Sequence, residues 1–167
     1  TGNYIGVAFD GATAQGNLDG IDVQASAGAG VSIGGSAGNL RNLIAGNTRA
    51  QVLIANANTT VQGNRIGTDA SGSVSIAGGV GVLVDTGASA AQIGGTAAGA
   101  GNQIVSASVA LRVQGGASNT VVEGNRIGTD ASGTGALGGL IGIDVDTSGG
   151  TRIGGTAPGA GNTIAFV

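Results

Sequence analysis

The string GNRIGTDASG occurs twice without a change, at Gly63–Gly72 and at Gly124–Gly133, 61 residues apart. A shorter form, GN-x-IG, starts at Gly2, Gly63 and Gly124. Two further markers keep almost the same period: IGG at Ile33, Ile93 and Ile153, and Asn-x-Ile at Asn42, Asn102 and Asn162, each 60 apart. Self-similarity at a fixed period marks a repeat architecture, in which each unit buries its apolar face only against its neighbours. The slips of a residue between markers place the loops. Repetition also argues against a catalytic signature, because one copy of a reactive group is enough.

Inside one period, Gly20–Val23, Gly81–Val84 and Gly142–Val145 correspond. Alternation with period two predicts short strands, with Ile21, Val23, Ile143 and Val145 inward and Asp22 and Asp144 outward. No apolar stripe of helical period is sustained. Composition narrows the choice further. Glycine costs roughly 0.5–1 kcal/mol relative to alanine in regular structure, so 37 glycines suit only a chain of recurring tight turns. Aromatic residues make up 2% of the chain, too few for the core of an ordinary sandwich. These features predict an all-β fold, a parallel β-helix (solenoid) of about eight coils of about 20 residues. Three such coils would fill each 61-residue period, and at about 4.8 Å per coil the rod would be about 35–40 Å long.

In that fold Ile44, Ile66, Ile104 and Ile127 point inward, as do Val61, Ile93, Val122 and Ile153. Each contributes roughly 1.5–3 kcal/mol when buried. Asn3, Asn64 and Asn125 are expected at one corner, and Asn42, Asn102 and Asn162 at another, where asparagine tolerates the bend and bonds neighbouring backbone. Residues 1–167 read as a single domain, with super-repeats starting near Gly2, Gly63 and Gly124. The opening Thr1-Gly2-Asn3 falls inside a repeat, which suggests an excerpt of a longer solenoid or a unit of a stacking fibre.

The patterns N-x-IG-T-D-x-x-G, GI-x-V, IGGT-x-x-GAGN-x-I and N-T-V-x-GN-x-IG fall at Ile66–Gly72, Gly142–Val145, Ile93–Ile104 and Asn119–Gly128, with their copies. Together they resemble repeat regions of large bacterial extracellular proteins that form right-handed parallel β-helices, with a pectate-lyase-like superfamily fold. The first period departs most, with IGGSAGNLRN at Ile33–Asn42 in place of IGGTAAGAGN at Ile93–Asn102. The resemblance implies an extracellular or cell-surface location and a non-catalytic role: a rigid rod, an adhesin stalk or a filament subunit. The expected partners are further copies joined end to end or a longer parent chain, with surface glycans as a further candidate.

Several function classes are disfavoured. The net charge of −3 offers no basic footprint for nucleic acid. No apolar run reaches the length of a membrane-crossing helix, so no membrane insertion is expected. With no Cys, there is no thiolate metal site. With no His and no Lys, the commonest general bases are missing. If the chain is an enzyme, it is a polysaccharide lyase or glycoside hydrolase. Its carboxylates would be Asp144 and Asp146, two apart on one strand face, with Arg152 as their partner. A solvated strand face explains the same residues. Asp69 and Asp130, in the repeated GTDASG, suit turns whose backbone N–H groups the carboxylate accepts. Calcium is the alternative there, although one carboxylate per turn is few for a tight site. No cofactor is otherwise expected. Asp10, Asp19 and Asp22 read as surface. Arg65 and Arg126 occupy equivalent outward positions, solvated or facing an acidic glycan.

Overall fold

The computed structural model describes residues 2–76 and 78–166. The short strands assemble into three parallel sheets. The first stacks β1 (Tyr4–Ile5), β4 (Leu43–Ile44), β7 (Arg65–Ile66), β10 (Gln103–Ile104), β13 (Arg126–Ile127) and β16 (Thr163–Ile164). The second stacks β2 (Asp19–Val23), β5 (Ala50–Ile54), β8 (Val80–Val84), β11 (Val109–Val113) and β14 (Ile141–Val145). The third stacks β3 (Ser32–Gly34), β6 (Thr60–Gln62), β9 (Gln92–Gly94), β12 (Val121–Glu123) and β15 (Arg152–Ile153). The chain visits the sheets in rotation, so each strand pairs with the strand three places on. This is a parallel β-solenoid. Its only helical segments among the described residues are two single 3-10 turns, Ala25–Ala27 and Gly38–Leu40.

The rungs number six in the first sheet and five in each of the others, against the eight coils expected. Strands of the first sheet begin at Tyr4, Leu43, Arg65, Gln103, Arg126 and Thr163, in steps of 39, 22, 38, 23 and 37 residues. One period therefore holds two coils, not three, with a long and a short step on the first sheet and steps of 28–32 residues on the other two. Ile66 and Ile127 stand two rungs apart with Ile104 between them. Six rungs at about 4.8 Å span about 24 Å, shorter than the expected rod.

The missing coils are hairpins. After β1, β7 and β13 the chain leaves the wall and returns, closed by antiparallel bridges Val7–Ala14, Thr68–Ser75 and Thr129–Ala136. The hairpins stack on one another along the rod. Ala70 N–H donates to Gly11 O (2.8 Å) and Ala131 N–H to Gly72 O (2.9 Å). Short coils carry no such hairpin, and their outward side chains fill the space beneath: Leu43 packs with Val7 and Ala45, and Gln103 donates to Gly72 O and Thr129 O. Gly67, at the root of the second hairpin, has φ +78°, and an added Cβ would lie 1.9 Å from Val105 O. Only glycine fits where the chain leaves the wall so close to the next coil.

Inside, residues pair in register and form four aliphatic columns. The first sheet gives Ile5–Ile44–Ile66–Ile104–Ile127–Ile164. The second gives Ile21–Val52–Val82–Leu111–Ile143 and Val23–Ile54–Val84–Val113–Val145. The third gives Ile33–Val61–Ile93–Val122–Ile153. Middle members such as Ile66, Val82, Ile93 and Leu111 are fully buried. On the last rung Val145, Ile153 and Ile164 remain 43–48% exposed, because no rung stacks above them. Val52 and Leu111 join the core although the sequence patterns did not single them out.

The two expected asparagine corners are one. Asn3, Asn42, Asn64, Asn102, Asn125 and Asn162 alternate in a single ladder where the third sheet turns into the first. At each step the backbone N–H and Nδ2 of one asparagine donate to Oδ1 of the next, at 2.9–3.2 Å. The same Nδ2 groups also reach backbone carbonyls, as Asn102 does to Val61 O (2.8 Å). The ladder answers the polar groups that the bend takes out of the sheet pattern, inside a wall that excludes water.

Candidate functional site

Six of the nine acidic residues serve two structural uses. The first is turn closure. Asp130 Oδ1 accepts from the backbone N–H groups of Ser132, Gly133 and Thr134 and from Ser132 Oγ (2.6 Å). The Ser132 hydroxyl first, and then the backbone donors, hold its carboxyl down at about 2. Asp69 accepts from Ser71 Oγ (2.7 Å), Ser73 N–H (2.9 Å) and Val74 N–H (3.0 Å). Partial burial pushes its pKa up, but these hydrogen bonds outweigh that and leave it lowered. Asp10 closes the first hairpin in the same way, through Ala12 N–H, Thr13 N–H and Thr13 Oγ1. Sequence alignment places Ala8 opposite Asp69, so the shift of this role by two residues was hidden. Among the described residues no cluster of three or more Asp, Glu, His or Cys forms around Asp69 or Asp130.

The second use is ion pairing across rungs. The outward row of the second sheet runs Asp22–Leu53–Leu83–Arg112–Asp144. Arg112 Nε donates to Asp144 Oδ2 (2.8 Å). Asp146 lies one residue beyond β14 and is exposed. Arg152 is not the partner of this pair. It sits on the third sheet, where Nη1 meets buried Glu123. Parallel stacking pairs each outward side chain with its neighbour one rung away, and the neighbour of Asp144 is Arg112. Likewise Arg49, on the rung next to Asp19, pairs with it. Arg152 thus stands with Glu123 and not with Asp144, which Arg112 holds instead.

Three arginines make no ion pair among the described residues: Arg41, Arg65 and Arg126. Arg65 and Arg126 face outward on the first sheet with Gln103 between them in register. Arg41 lies just before β4, at the same corner as the asparagine ladder. A groove of about 160 Å³ runs beside them. Arg41 and Gln103 carried no signal in the repeat, because neither recurs at its equivalent position. Their place becomes visible only when long and short coils are interleaved. Thr68 and Thr129, which recur like a ligand-binding row, are fully buried at the hairpin mouths.

No family model matches the chain, and no curated protein or solved structure matches it either.

Proposed function

We propose that this chain is a non-catalytic structural element, a rigid segment of an extracellular or cell-surface rod, adhesin stalk or filament. The observation that carries the reading is the use of its polar groups. The six-asparagine ladder runs the full stack, and six of the nine carboxylates close hairpins or pair across rungs. Four packed columns and a hydrogen-bonded corner resist bending as a unit, since each coil is held by both neighbours. The exposed ends of the columns at Val145, Ile153 and Ile164 give a further coil the same surface to stack on. More of a parent chain, or a second copy, supplies that coil. The fold resembles the scaffold of pectate-lyase-like proteins in its parallel coiling, and that finer kinship belongs to this proposal.

Electron microscopy of the purified chain, with and without added acidic polysaccharide, tests the reading. Straight rods or filaments and intact polysaccharide support it. Cleavage of the polysaccharide that Asp144→Ala abolishes would establish a hydrolase or lyase instead.

A further inference from the structure

All six basic side chains are arginines. Arg49, Arg112 and Arg152 are held by carboxylates, whereas Arg41, Arg65 and Arg126 have none and line one groove, where the third sheet turns into the first. The groove continues along the rod, past Arg41 and Arg65 to Tyr4 on one side. On the other it runs beside Arg126 and the Gly95–Gly101 backbone. Arg41 Nε donates to Gly63 O (3.1 Å), Arg65 Nη1 donates to Ala70 O, and the Arg126 guanidinium donates to nothing among the described residues. Burial and then the nearby Arg41 charge lower the pKa of the Arg65 guanidinium, and the more weakly felt Asp69 charge does not offset them. Between Arg65 and Arg126, Gln103 is 6% exposed. Its Nε2 is satisfied by Gly72 O and Thr129 O, and its Oε1 has no partner.

An occupant that suits this groove brings anions for the guanidinium forks. We propose that the groove binds an acidic glycan, whose carboxylate or sulfate groups pair with Arg41, Arg65 and Arg126. Arginine forks bind such oxyanions through two parallel hydrogen bonds. Arg65 and Arg126 stand two rungs, about 10 Å, apart along the axis, so a sugar chain lying along the rod engages both. Tyr4, half exposed at the end of the groove, offers a flat ring for a sugar face. A single-stranded nucleic acid would need aromatic platforms along its path, and the groove has only Tyr4, at one end. This inference does not rest on the spacer reading: a free rod and a stalk would bind alike.

The test is binding of the whole chain to four probes: an oligouronate, dextran sulfate, neutral dextran and a single-stranded DNA oligonucleotide. One or both acidic glycans should bind, the one that does naming the anion, while dextran and DNA should not. Arg126→Ala should weaken binding about tenfold, the loss of one charge-assisted pair. Arg112→Ala, on another sheet, should leave binding unchanged. Arg126 makes no hydrogen bond to lose, so its variant should keep the parent's circular dichroism. If it does not fold, Arg41→Ala serves the same comparison. The proposal is overturned if neither acidic glycan binds, if dextran or DNA binds as tightly as they do, or if the groove variant and Arg112→Ala weaken binding equally.

Discussion

Asn64→Ala breaks the ladder at its centre. Asn64 is 1% exposed. Its Oδ1 accepts both the backbone N–H (3.2 Å) and the Nδ2 (2.9 Å) of Asn42. Its Nδ2 donates to Asn102 Oδ1, Ile33 O and Gln62 O. The substitution strips two buried donors on Asn42 of their acceptor, and each such loss costs about 1–3 kcal/mol. Asn102 Oδ1 keeps the Asn64 backbone N–H (3.0 Å), and Gln62 O keeps Gly35 N–H (2.8 Å), so these groups add little. The expected loss is about 3 kcal/mol, within a range of about 2–6. Asn3→Ala is the control. Asn3 is exposed at the ladder's end and only donates onward, so its loss should stay below about 1 kcal/mol. Urea unfolding followed by far-ultraviolet circular dichroism measures both. Asn64→Asp adds a second readout. A carboxylate there faces three acceptors, so its folded pKa rises above the unfolded value of about 3.9. The deficit relative to the parent should therefore grow as pH rises above about 4 and shrink on acidification from pH 7 to about 4. Equal losses for Asn64→Ala and Asn3→Ala would refute the reasoning.

Ile104→Ala empties the middle of the first column and should cost about 2–5 kcal/mol, whereas Ile164→Ala, 43% exposed on the last rung, should cost less than about 1 kcal/mol; the same urea titration compares them. Gly67→Ala places a Cβ against Val105 O at φ +78° and should destabilise the fold by more than about 1 kcal/mol, read as a lower thermal midpoint. The Asp130 carboxylate, held at about 2, supports its hairpin fully above the unfolded carboxyl value of about 3.9 and loses that role as pH falls toward 2. Protection of the Gly133 and Thr134 amides relative to their intrinsic exchange rates should therefore fall across that window, and Asp130→Ala should abolish that fall.

Repetition made the stacked parallel strands legible, because β-branched residues at fixed spacing have only one way to bury themselves together. Ile66, Ile104 and Ile127 lie in one column as their shared context suggests. The coil length was not legible from the 61-residue period, because the period holds two coils whose steps on the first sheet are unequal. Its clue is Asn-x-Ile, which occurs six times, at Asn3, Asn42, Asn64, Asn102, Asn125 and Asn162. Pooled, these mark every rung of the first sheet. Read as two sets, they suggest two corners. The hairpins were hidden for a related reason: their Gly, Ser and Asp residues look like the turn residues of further coils. Ion pairs such as Arg152–Glu123 join neighbouring rungs 29 residues apart, and that register is unreadable until the period is known to hold two coils and not three. The same holds for the arginine groove, whose members come from three rungs.

Engineered disulfides test the register most directly, since the chain has no Cys of its own. Ser32 and Thr60 face each other on adjacent rungs of the third sheet, with Thr60 Oγ1 3.1 Å from Ser32 Oγ. Thr60 and Val121 occupy the same place in successive 61-residue periods but stand two rungs apart, with Gln92 between them, about 10 Å. Adjacent strands suit disulfide geometry and a two-rung gap does not. Under mild oxidation Ser32→Cys/Thr60→Cys should close within one molecule, seen as the loss of two hydrogens in the mass spectrum, while Thr60→Cys/Val121→Cys stays reduced. Closure of the second pair, with the first left open, would contradict the alternating stack of long and short coils.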